Sequence, residues 1–179
     1  QYQTVYATKI GSAAAPTAGL HFTKKLLSDL KKKGVQIEYI TLHVGLGTFQ
    51  NLRPENIETK TLHTEFYEID KKTANNLDLA KSRGKRIVAV GTTTVRTLES
   101  AINLKGKINP GVASTNIFIY PPYKFKFVDA LITNFHLPKS SLLMLVSAFA
   151  TKEKISNSYQ VAINNKYRFF SFGDAMLIF

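Results

Sequence analysis

The chain has 179 residues, 44% of them hydrophobic, enough for one domain with a core and too apolar for a disordered polymer. It has no cysteine, which excludes a disulfide framework, a cysteine nucleophile and a zinc–thiolate site and fits a reducing cytosol. Lysine and arginine number 24 against 12 acidic residues, and a formal charge of +12 suits a polyanionic partner unless it is only a basic surface.

Residues 18–33 predict a helix, with Thr17 as cap, Phe22, Leu26, Leu27 and Leu30 on one apolar face, and Gly34 as the stop. Lys31-Lys32-Lys33 would then complement the dipole of its last turn. Residues 35–44 predict a strand running into a Gly45-Leu46-Gly47 turn, residues 53–61 a polar loop, and residues 63–69 another strand. A second helix over residues 71–83 is closed by Gly84. Residues 86–90 predict a strand that Gly91 breaks. Thr92, Thr93 and Thr94 are helix-capping types, and Val95, Leu98 and Ile102 follow at helical spacing.

Residues 104–115 predict a loop, residues 116–120 a strand ended by Pro121-Pro122, and residues 127–134 a further strand. Ser140 or Ser141 caps a helix through Ala150 that is apolar on every side and therefore buried; its apolar run is too short to span a membrane. Ile155, Tyr159 and Ile163 mark a final amphipathic helix, and residues 175–179 a last strand. The first residues carry no charged stretch followed by an apolar one, so no signal peptide is expected. Strands alternating with helices predict an α/β fold, a twisted mixed sheet with helices on its faces.

A strand, a glycine turn and a hydroxyl-lined helix start make a site for an anion or a nucleotide, because the first N–H groups of a helix lack partners within it. The same residues also suit a plain capped turn. Four histidines are candidates for proton transfer: His43 and His136 at predicted strand ends, His21 near a helix start, and His63 on one strand face with Glu65. Glu65 and Asp174 could face a cation or tune a base. Arg96 could pair with Glu99 one turn on, or hold a phosphate or carboxylate. Tyr120, Tyr123, Phe125 and Phe127 interleave with Lys124 and Lys126, a pattern that suits either RNA contact or an edge strand. His63-x-Glu65 is too sparse for a metal site, and none is expected.

The segments GLHFT (residues 19–23), HVGLGTF (43–49), GTTTVRTLES (91–100), FIYPPYKFK (118–126), DALITNFHLPKSSLLMLVSAF (129–149) and YRFFSFGDAMLI (167–178) occur in this order. Together they resemble the S-adenosylmethionine:tRNA ribosyltransferase-isomerase family of queuosine biosynthesis, nearly end to end. The resemblance implies that the ribosyl part of S-adenosylmethionine moves onto 7-aminomethyl-7-deazaguanine at the tRNA wobble position and isomerises. Epoxyqueuosine forms, and adenine and methionine leave. S-adenosylmethionine is then a consumed substrate, and no other cofactor is expected.

On this resemblance, residues 1–179 form an incomplete α/β catalytic domain. An upstream region containing a small β-barrel domain would be missing, and strands it would pair would be left as open edges. A monomer is expected at full length, in the cytoplasm. The expected proton-transfer groups are His43 and His136, with Glu65 and Asp174 as electrostatic partners. Gly91, Thr92, Thr93, Thr94 and Arg96 are expected to bind S-adenosylmethionine, and Tyr123, Lys124 and Lys126 to contact RNA. Two other readings compete. An ordinary methyltransferase would show a glycine-rich loop, which GTTTV and GLGT are not. A basic RNA-binding module without catalysis fits the charge and the aromatics.

Overall fold

The structure, a computed structural model, describes residues 2–45 and 52–179. Residues 46–49 of the HVGLGTF segment, and with them part of the expected glycine turn, lie outside the described residues. The α/β class holds, but the strands divide between two three-stranded sheets rather than forming one. The first contains β1 (Thr41–His43), β2 (Thr61–Ile69) and β4 (Gly111–Ile117), all antiparallel, in the order β1-β2-β4. The second contains β3 (Val88–Val90), β5 (Ala130–Asn134) and β6 (Ala175–Ile178), with β3 parallel to β5 and β6 antiparallel to it.

Helix α4 (Thr92–Ala101) packs against β3 and β5 of the second sheet and β4 of the first. Its Val95 and Leu98 enter a core with Tyr67 and Ile69 of β2, Leu131 of β5, and Leu145 and Val146 of α5 (Ser141–Ala150). Ser140 caps α5 through a bond from the Leu143 N–H, as its sequence position predicts. No residue of α5 is exposed, and four of its ten are fully buried. In α6 (Lys152–Asn164) the inward stripe runs through Ile155, Tyr159 and Ala162. Ile163, expected inside, is 56% exposed.

The expected helix over residues 18–33 is two elements. A 3₁₀ turn covers Thr17–His21, Phe22 is extended, and α1 (Lys24–Lys32) starts afresh with Thr23 accepting from the Leu26 N–H. Packing overrides propensity at this point. Gly19 sits so close to the N-terminal segment that a Cβ there would collide with Tyr6 Oη and lie 2.7 Å from Thr4 Cγ2. Gly19→Ala is therefore expected to destabilise by about 1–3 kcal/mol, the usual cost of overpacking, read as a lowered urea midpoint at unchanged slope.

Three other expectations shift. Residues 53–61, expected as loop, contain α2 (Pro54–Thr59), started by Pro54 and by Asn56 Oδ1 accepting from the Arg53 N–H at 3.0 Å. The strand expected over residues 35–44 contracts to β1. The strand expected to begin at residue 116 begins at Gly111, inside the expected loop, because nine-residue β2 supplies a long edge to pair with. Helix α3 (Lys71–Ser82) stands as expected, capped by Asp70, which accepts from the Thr73 N–H, and followed by Gly84 at φ 66°.

Candidate functional site

Because β3 and β5 are parallel, both deliver their C-terminal ends to one edge of the second sheet. At that edge β3 turns through Gly91 into α4, and β5 runs on into Phe135 and His136. Between them lies a cavity of about 120 Å³. Thr17, Gly91, Thr92, Thr93, Asn134 and His136 give it polar lining, and Val44, Phe135, Leu142 and Phe170 give it apolar walls.

Gly91 is itself the cap residue, at φ 91° and ψ 144°, a conformation that favours glycine. The threonines occupy the first turn, rather than the capping position expected of them. The Gly91 N–H donates to Ile132 O at 2.9 Å, which ties the turn to β5. Thr94 turns its hydroxyl onto Val90 O at 2.8 Å and is absent from the lining.

Asn134, 2% exposed, organises the opposite wall. Its amide donates to Phe170 O at 3.0 Å and meets His21 Nε2 at 3.2 Å, and its Oδ1 accepts from Thr17 Oγ1 at 3.4 Å. One buried amide thus joins the 17–21 turn, the end of β5 and the 167–174 loop. Phe170, at φ 70°, donates its N–H to Phe135 O at 3.0 Å and brings its side chain to the cavity.

His136 Nε2 lies 3.0 Å from Thr133 Oγ1, and its backbone N–H donates to Tyr159 Oη at 2.8 Å. Burial disfavours the charged imidazolium and lowers the His136 pKa to about 4, so the ring is neutral at physiological pH. Tyr159 is raised to about 12 by burial and keeps its proton.

The other expected residues stand outside the lining. His43 pairs with Phe66 across β1 and β2, and its ring lies against Gly11, where a Cβ would be 3.1 Å from Nδ1. Its neighbour Val44 is the one that reaches the cavity. Arg96 points to the first sheet. It donates to Glu65 Oε2 at 2.6 Å with both side chains 2% exposed, and to Ile117 O at 3.2 Å. Burial pushes the Arg96 pKa down, and Glu65 opposes the shift. His63 Nε2 lies 3.4 Å from Glu65 Oε1, so the expected shared strand face is real.

Asp174 closes the 167–174 loop. It accepts from the Arg168 N–H at 2.8 Å and from Arg168 Nη2 at 2.9 Å, and those bonds hold its carboxyl below the ordinary value. Tyr123 is half-buried and donates to Glu99 Oε2 at 3.1 Å; burial and that carboxylate push its pKa up. Lys124 and Lys126 are exposed. Glu99, 4% exposed, also accepts from the N–H groups of Lys126, Phe127 and Val128 at 2.9–3.0 Å, so it spends its charge on this segment and not on Arg96. Among the described residues no three His, Cys, Asp or Glu side chains gather as a metal site. No helix among them is long and apolar enough to cross a membrane.

Strand ends, a glycine-initiated helix and a partly apolar cavity define the candidate site of this α/β protein. Residues 1–178 match the family described as queuosine biosynthesis protein, and the chain belongs to that family. Curated relatives named S-adenosylmethionine:tRNA ribosyltransferase-isomerase are similar to it. The protein from Natranaerobius thermophilus is 58% identical over 178 residues, covering 99% of this chain and 52% of the relative. The one from Macrococcus caseolyticus is 58% identical over 179 residues, covering 100% and 53%. A crystal structure of S-adenosylmethionine tRNA ribosyltransferase from Thermotoga maritima superposes with a TM-score of 0.72 at 50% identity, covering 91% of this chain and 51% of that one. The chain spans about half the length of the curated relatives it matches.

Proposed function

We propose that this chain carries the S-adenosylmethionine site of a tRNA ribosyltransferase-isomerase. The reaction moves the ribosyl moiety of S-adenosylmethionine onto 7-aminomethyl-7-deazaguanine at the wobble position, isomerises it to the epoxide-bearing ring of epoxyqueuosine, and releases adenine and methionine. S-adenosylmethionine is consumed as a substrate, tRNA is the second substrate, and the setting is the cytoplasm. The observation that carries this reading is convergence. Val44 and the segments 91–100, 129–149 and 167–178 each contribute to the same cavity, and residues 19–23 reach its wall through His21.

The carbon beside the sulfonium must lose a proton, and a neutral imidazole in the cavity has a lone pair for it. His136 meets that requirement on geometry. His43, Glu65 and Asp174 support the site from its surroundings: His43 beside Val44, Glu65 through Arg96 on α4, and Asp174 at the base of the loop bearing Phe170. Gly91, Thr92 and Thr93 take S-adenosylmethionine directly, and Thr94 and Arg96 hold the helix that presents them. The deciding experiment is adenine release from S-adenosylmethionine, with and without substrate tRNA. Release that depends on tRNA supports the enzyme. Tight tRNA binding without release supports an RNA-binding module instead.

Lys124 and Lys126 are proposed to meet tRNA phosphates, with Tyr123 bracing their segment from inside. If about five phosphates are neutralised in all, log affinity falls against log salt with a slope of about −3.5 to −4.5. Lys124→Ala with Lys126→Ala is expected to flatten that slope by about two units in filter binding across a salt series. A salt-independent affinity would remove phosphate contact from the account.

A further inference from the structure

We propose that the start of α4 receives the carboxylate at the amino-acid end of S-adenosylmethionine, using hydroxyl and backbone donors and no side-chain cation. This rests on the reading that the cavity takes S-adenosylmethionine. Two independent observations carry it. The first is the uncapped helix. No side chain caps α4, its first intrahelical bond runs from the Val95 N–H to Gly91 O, and the N–H groups of Thr92, Thr93 and Thr94 have no acceptor among the described residues. The second is the pair of hydroxyls. Thr92 and Thr93 are each 6% exposed and line the cavity, and neither hydroxyl has a hydrogen-bond partner among the described residues. Both hydroxyls open into the cavity and are not among the fully buried unpartnered atoms, so they are free to bond a ligand that enters it.

The charge of the site selects which end of the ligand enters. Free N–H groups and the positive end of the helix dipole favour an anion and repel a cation. The sulfonium and the ammonium of S-adenosylmethionine are cations, and its carboxylate is the molecule's one anion. Among the described residues the lining contains no lysine or arginine. Arg96, one turn along α4, is engaged by Glu65 at 2.6 Å. The carboxylate is therefore held by dipoles, and the apolar walls at Val44, Leu142 and Phe170 are left for the adenosine end.

The test is calorimetric titration of the intact protein with S-adenosylmethionine and with its decarboxylated analogue. The natural compound is expected to bind at least about tenfold more tightly, as hydrogen bonds to a charged acceptor warrant. Thr92→Val with Thr93→Val is expected to close most of that gap by weakening S-adenosylmethionine far more than the analogue, and Thr92→Ser with Thr93→Ser to retain it. Equal affinity of the wild-type protein for both compounds overturns the carboxylate assignment and leaves the S-adenosylmethionine reading standing. Binding of neither overturns that reading. An undiminished gap in the valine variant removes the hydroxyls from the role. A loss of tRNA affinity in that variant, with the gap intact, assigns the helix start to a phosphate and overturns the proposal.

Discussion

Arg96→Met, or Glu65→Gln, is expected to destabilise the fold by about 3–5 kcal/mol, because each removes one member of a buried ion pair and leaves the other charge less compensated. The two side chains meet at 2.6 Å and are both 2% exposed, so water cannot replace the missing partner. Arg96 would keep two weak carbonyl acceptors, Ile117 O at 3.2 Å and His63 O at 3.5 Å. Combining Glu65→Leu with Arg96→Met removes both charges and is expected to recover a large part of the loss, since an apolar replacement of a buried pair is often near neutral. Urea unfolding of Glu65→Leu, Arg96→Met and the double variant makes the comparison. Strictly additive losses would show that the two side chains contribute independently and that their coupling is not what matters.

His136→Asn is expected to lower turnover by about a hundred- to ten-thousand-fold, the range for a single proton-transfer group, with little change in S-adenosylmethionine affinity. His43→Asn serves as its companion. His43 lies against Gly11, not in the lining, and its replacement is expected to cost far less. A His43 variant as slow as the His136 variant would move the proton transfer away from the cavity. Stability gives a second readout. The folded pKa of about 4 lies below the ordinary 6.5, so the unfolded chain binds more protons between those values. This group's contribution is therefore complete above about pH 6.5 and is lost progressively as pH falls toward 4. The His136→Asn variant should lack that slope.

The strand–glycine–helix start at residues 86–102 was legible because a β-branched run, a glycine and a 3.6-residue apolar spacing agree there. His136 was legible for a similar reason, standing at the end of an apolar strand. The division into two sheets was not. It depends on which strand edges pair, and local pattern carries nothing about that. Arg96 illustrates the difference. Its neighbour Glu99 offers an intrahelical partner worth about 0.2–0.5 kcal/mol, whereas the structure gives it Glu65 from a strand 31 residues earlier. Asn134 escaped notice because a lone amide in a strand has no periodic signature. Its meaning lies in the three segments it joins. Two polar residues, Thr133 and Asn134, closing the apolar run 130–132 were the available cue.

Helix α4 carries one more consequence. Its apolar face touches strands of both sheets, Arg96 is fastened to the first sheet, and Glu99 is fastened to the segment that leads into β5. Neither sheet has a core of its own that excludes this helix. The two sheets should consequently melt in one cooperative step, with a single midpoint by far-ultraviolet circular dichroism and by tyrosine fluorescence. The cavity, built where that same helix begins, would vanish in the same step, so ligand protection and global stability are two readings of one equilibrium.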